Sequence, residues 1–92
     1  ITRQQAMAIL FRLNGGQSST ELTLTGIYEQ TFTDSTTIAA WAKDATWWAV
    51  YHELVSGVGG SRIAPEANAS RAQIAAILLR YADQFMTMEE AA

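Results

Sequence analysis

With 92 residues, six Lys or Arg against nine Asp or Glu and a net charge of −3, the chain is sized for one domain and too small for a large enzyme. The absence of cysteine and the single histidine exclude disulfides, thiolate metal sites and His-rich metal clusters. Hydrophobic residues at 49% are too many for a disordered chain, while no apolar run approaches the roughly 18 residues that cross a bilayer, so a soluble globular module is expected. Asp83, Glu89 and Glu90 account for the net charge, and residues 1–82 balance six charges of each sign; non-specific nucleic-acid binding is not expected. The start at Ile1, with neither Met nor a signal peptide, reads as a fragment of something longer.

The first predicted element is a helix over 1–13. Thr2 and Gln5 form a capping-box pattern, in which hydroxyl and amide satisfy orphan backbone N–H groups reciprocally. Ala6, Ile9, Leu10 and Leu13 follow the i, i+3, i+4, i+7 spacing of one buried stripe, and Asn14-Gly15-Gly16 suits a left-handed C-cap. Residues 17–37 hold ten Ser or Thr; Leu22, Leu24 and Ile27 are spaced as in a short half-buried strand, and the segment is expected to be an ordered loop. A second helix is predicted over 39–53, with Ile38, Trp41, Ala42, Ala45, Trp48, Ala49 and His52 on one face. This puts Trp41 and Trp48 in the core and Trp47 with Tyr51, i, i+4 neighbours, on the exposed side. Residues 56–61 read as a flexible Gly-rich turn, and Pro65 leads toward a second capping box at Ser70 and Gln73. The last helix carries the stripe Ile74, Ile77, Leu78 and Tyr81 before an acidic tail. Residues 69–81 repeat 1–13 with six identities in thirteen: Arg3/Arg71, Gln5/Gln73, Ala8/Ala76, Ile9/Ile77, Leu10/Leu78 and Arg12/Arg80.

Several words recur in a fixed order: Phe32-Thr33-Asp34, Ile38, Trp41-Ala42-Lys43-Asp44-Ala45, Trp48-Ala49-Val50, Leu54-Val55-Ser56-Gly57-Val58-Gly59, Ala64-Pro65 and Ser70-Arg71-Ala72-Gln73. In this order and spacing they resemble the S-layer homology (SLH) family of bacterial surface modules, as one full repeat over about 32–81 preceded by the closing helix of another. Glu53 stands where the family usually has Gly, Gly60-Ser61 replaces a common Asp-Gly, and 17–31 is longer than the usual link. The resemblance implies an all-α, short helix-loop-helix repeat bundle with a long Ser/Thr-rich loop. Its parts would be a closing helix at 1–14, a linker loop at 15–31, a full repeat at 32–82 and an acidic tail at 83–92. It also implies an extracellular place on the bacterial cell wall or S-layer, and non-covalent attachment to a secondary cell-wall polysaccharide, often pyruvylated.

Residue chemistry points the same way for an anion. Arg3 and Arg71 follow their caps directly, where a cation opposes the positive end of the helix dipole. Gln rather than Glu at the third helical position leaves that potential uncompensated, and an arginine fork beside a helix start suits a carboxylate. The competing reading pairs each arginine with an acid such as Asp34 across a repeat junction. Arg12 and Arg80, read as last-turn residues, are structural cations. The resemblance adds Gln73, Trp41, Gly57 and Gly59 to Arg71 and Arg3 as glycan-binding residues. Trp47 and Tyr51 make an interaction surface for a sugar ring or, preferably, another protein.

His52 has no second histidine with which to share a metal. Asp34, Asp44 and Glu53 show no catalytic spacing, and the Gly57–Gly60 run follows a helix rather than a strand, unlike a dinucleotide loop. The Asn68-Ala69-Ser70 sequon is discounted because its Ser is the cap. No enzyme activity, cofactor, metal or membrane insertion is therefore expected. The alternative function is an SLH-derived protein-interaction or oligomerisation module. Either the 17–31 loop covers the surplus apolar stripe or identical chains do; the second outcome, a homo-oligomer, is the one expected.

Overall fold

The structure is a computed structural model and describes residues 1–16, 25–59 and 61–86. Four helices follow in order: α1 (Arg3–Leu13), α2 (Thr25–Thr31), α3 (Lys43–Tyr51) and α4 (Arg71–Phe85). Short 3₁₀ turns at Ser35–Thr37 and Ala40–Ala42 bring the chain into α3. The described residues contain no strand, only isolated bridges at Thr2 with Asn68 and Val58 with Arg62, so the architecture is mostly helical as expected.

Both capping boxes form. The Thr2 and Ser70 hydroxyls accept from the Gln5 and Gln73 backbone N–H groups, and those glutamines accept from the cap N–H groups in return. The helix ends match one another as well. After α1, the Gly15 N–H donates to Arg12 O and the Gly16 N–H to Phe11 O; after α3, the Glu53 N–H donates to Val50 O and the Leu54 N–H to Ala49 O. Both are the paired 5→2 and 6→1 bonds of a Schellman cap, which needs a left-handed residue at its turn. Gly15 has φ +101°, whereas Glu53 is held at φ +58°. Ser61 sits at φ +66°, so both of the substitutions noted above fall where the backbone favours glycine.

Three expectations are corrected. Part of the predicted 17–37 loop is helix α2, and Ile27 lies exposed on it rather than in a half-buried strand; Leu22 and Leu24 lie outside the described residues. The helix predicted over 39–53 is shorter, because Ala42 supplies no side-chain cap and the 3₁₀ turn replaces the first helical residues. That turn also changes which indole is buried. Trp47 and Trp48 are each 1% exposed, whereas Trp41 is 56% exposed. Trp48 packs among Phe11, Tyr81 and Phe85 at centroid distances of 5.5, 6.3 and 5.8 Å. Trp47 faces Tyr28 at 5.4 Å and Phe32 at 6.1 Å. Segment 28–32 therefore covers the side of α3 that a lone amphipathic helix would leave to solvent.

The duplicated helices α1 and α4 bury opposite faces. α1 buries Arg3, Gln4, Ala6, Met7, Ala8 and Leu10, leaving Ile9 and Leu13 exposed; α4 buries Ile77 and Tyr81, their repeat equivalents, and exposes Leu78. The expected stripe thus holds for half of each helix. A helix carrying apolar residues on two sides buries whichever side its neighbour meets: α3 meets the Met7 side of α1 and the Tyr81 side of α4.

Relief of the left-handed strain is testable. Glu53→Gly is expected to raise stability by about 0.5–1 kcal/mol, read as a higher urea midpoint at unchanged slope. A lower midpoint would show that the glutamate side chain contributes more than its backbone conformation costs.

Candidate functional site

The residues around Arg3 converge from three stretches of chain. The capping box starts α1, the Arg3 N–H donates to Ala67 O at 2.9 Å and the Gln4 N–H to Pro65 O at 3.0 Å, so the first turn lies along 65–67. The Arg3 side chain is thereby directed inward at 5% exposure. Its Nε donates to Ile63 O at 2.9 Å and its Nη2 to Ser56 O at 3.1 Å. Burial lowers the Arg3 pKa below the usual arginine range, and the Asp34 carboxylate opposes that shift. Asp34 itself accepts from the Ile63 and Ala64 N–H groups, both at 2.8 Å. The peptide at Ile63 is held by an anion on its N–H side and a cation on its C=O side.

This alters the reading of Arg3. The expected free N–H groups of the α1 start are occupied by Ala67 O, Pro65 O and the Thr2 hydroxyl, and the guanidinium is mostly committed to carbonyls. The competing reading, a link to Asp34 across the junction, describes its electrostatics better. Part of Arg3 nonetheless lines a pocket of about 280 Å³, together with Val55, Ser56, Val58, Gln73 and Arg80. Arg80 was expected in a last turn, but α4 continues to Phe85 and leaves it mid-helix, where its Nη1 donates to Leu54 O at 3.2 Å. Gln73 Oε1 is taken by the Ser70 N–H, which leaves its amide NH₂ without a partner among the described residues. Arg3 Nη1 and Arg80 Nε and Nη2 are likewise unengaged there. No carboxylate lines the pocket among the described residues.

The other predicted residues are dispersed. Arg71 is exposed on the first turn of α4 and does not line the pocket. Gly57 and Gly59 shape a tight turn closed by reciprocal Val58–Arg62 hydrogen bonds. At Gly57 a Cβ would come 3.2 Å from Phe32 Cε1, so a side chain there would require the Phe32 ring to give by a few tenths of an ångström, and Ser56 and Val58 are the pocket residues of that turn. Trp41 belongs to a different cleft, with Gln5 and Arg12. The expected Trp47–Tyr51 surface does not form, because Trp47 is buried while Tyr51 is 41% exposed. Sequence reasoning missed Arg80 as a pocket residue. Its signal was the repeat itself, which pairs it with Arg12, but only the length of α4 separates the surroundings of the two.

The Asp34 clamp carries a stability prediction. Asp34→Asn loses one of two charge-assisted acceptors and the charge facing Arg3, and is expected to cost about 2 kcal/mol. Asp44→Asn, at the exposed first turn of α3, should cost no more than about 0.5–1 kcal/mol. Equal urea midpoints for the two variants would show the clamp to be energetically unimportant.

Residues 31–75 match the family model of the S-layer homology domain. No curated protein and no solved structure gives a match.

Proposed function

We propose that this chain, whose residues 31–75 match the S-layer homology domain, helps anchor its parent protein at the bacterial cell surface by gripping a carboxylate-bearing sugar of a cell-wall polymer in the pocket between Arg3 and Arg80. The pocket itself carries this reading: Arg3, Gln73 and Arg80 line it, and no acid does so among the described residues. A site whose charged lining is cationic is completed by an anion, and a carboxylate accepts two parallel N–H bonds from a guanidinium. A pyruvyl ketal on a secondary wall polysaccharide is a ligand of this kind. Arg3 is preset, its Nε and Nη2 bonds holding the guanidinium plane, so little side-chain entropy is lost on binding. Arg80 supplies the second fork from the facing helix. Arg71, with its surroundings open, contributes at most long-range attraction.

A second reading, self-association, is favoured by one observation. Ile1, Ile9 and Leu78 stand exposed around an apolar groove of about 110 Å³ whose floor includes Leu10, Ile74 and Ile77. Contiguous exposed apolar surface of this sort marks interaction sites.

Retention on purified bacterial sacculi tests the first reading. The parent chain is expected to bind sacculi that retain their secondary polysaccharide and not stripped ones. Arg80→Ala should lose most retention with helix content intact, Arg80→Lys should keep a minor part, and Arg71→Ala should stay close to the parent. Undiminished binding by Arg80→Ala would remove the pocket from the anchoring role. For the second reading, light scattering on the 10.1 kDa chain should show a larger species that Ile9→Glu returns to monomer; a parent chain that is monomeric at high concentration would sink it.

A further inference from the structure

Helix α4 buries only Ile77 and Tyr81 along its 15 residues. On its other side Arg71, Ala75, Leu78, Leu79 and Met86 are exposed and Ala82 is half-buried. At about 100° per residue these six fall within roughly a third of the circumference, and Arg71, in the first turn, is the one charge among them. A helix that is apolar on two sides has two sides to pack.

The repeat identifies the second side as a packing face. In α1 the same positions are Arg3, Met7, Leu10 and Phe11. There the first three are buried, and Phe11 packs on Trp48. In α4 their equivalents Arg71, Ala75, Leu78 and Leu79 follow in the same order but stand open, Leu78 and Leu79 at 49% and 64% exposure.

Charge selects the occupant. The first turn of α4 holds a cation, Arg71, and no acid, while its last turn holds an acid, Asp83, and no cation. Each charge therefore opposes the helix dipole at the end where it stands. A second α4 running antiparallel reverses the conflict, because each Arg71 then lies over the carboxyl end of the other helix and each Asp83 near its amino end. With the two-fold axis between Leu78 and Leu79, Leu78 faces Leu79 of the second copy, Ala75 faces Ala82 and Arg71 faces Met86. The alanines on either side of the leucines let the two helices approach closely. A parallel pair would instead bring Arg71 to Arg71 and Asp83 to Asp83.

We infer that α4 pairs antiparallel with α4 of a second copy of this chain, in a closed two-fold dimer. The inference rests on the self-association reading and deepens it: the groove beside Ile9 borders the stripe at Leu78, whereas Leu79 is not among the residues lining that groove.

Sedimentation and disulfide trapping test it together. The parent chain is expected to dimerise at high micromolar concentration. Leu79→Glu should raise the dimer dissociation constant about a hundredfold, because it places two carboxylates in the contact. Arg71→Glu should raise it about tenfold with helix content undiminished, since an acid suits the first turn, and adding Asp83→Arg should restore it. The chain has no cysteine, so introduced ones report the register. A mixture of Ala75→Cys and Ala82→Cys chains should form the mixed disulfide. Two Ala75→Cys chains should not link, because their Cα atoms stand about 10 Å apart along the paired helices. Efficient linking of Ala75→Cys to itself would overturn the antiparallel pair. A dimer that Ile9→Glu dissociates and Leu79→Glu leaves intact would overturn the α4 contact and leave self-association standing. A chain that is monomeric at every concentration would overturn both and give the face of α4 to a different partner.

Discussion

The structure depends on one buried cation and what it holds. Arg3 reaches the carbonyls of Ile63 and Ser56, while Asp34 binds the N–H groups of Ile63 and Ala64. Removing a guanidinium from water is costly unless its donors and its charge are both answered. Here the carbonyls answer the donors and Asp34 the charge. The resulting clamp joins the start of α1 to stretches far along the chain, and it makes α1, which lies outside the family match at 31–75, an integral part of the fold. Once Arg3 is seated, the rotation of α1 about its axis is set, and Met7 and Leu10 must face the core.

The aromatic core follows from that placement. α1 brings Phe11 to Trp48, and α4 brings Tyr81 and Phe85 to the same indole. Trp47 is served from the other direction by Tyr28 and Phe32. Two adjacent tryptophans on one short helix point in different directions, so both are buried only if α3 is covered on two sides. Trp47 Nε1 has no hydrogen-bond partner among the described residues, a cost of about 1–3 kcal/mol that the ring's burial offsets. The third tryptophan precedes α3 and has no such cover, which is why it is available at the surface.

Repetition of a sequence has not meant repetition of an environment. Arg3 and Arg71 share a capping box and a helix, but the first is inserted into a loop and the second stands in solvent. Arg12 and Arg80 differ in the same way: one borders the Trp41 cleft and the other the Arg3 pocket. The two clefts are nevertheless alike in lining, each with an arginine and a glutamine and, among the described residues, no acid.

What could be read from the chain alone was whatever is completed within about one helical turn. The capping boxes at Thr2 and Ser70, the glycine cap after α1 and the helical spacing of the last segment are hydrogen-bond patterns among near neighbours, so the residues that make them are visible together. The family words were legible for a related reason: Asp34 accepts from two successive backbone N–H groups, and Gly57 lies close against Phe32, so these residue types are tied to their positions. The buried faces of α1 and α3, the exchange of Trp41 for Trp47 in the core, and the meeting of Arg3 with Arg80 were decided only by tertiary structure. Each depends on a partner supplied from tens of residues away, and a helix with apolar side chains on two faces contains nothing that says which face that partner will meet.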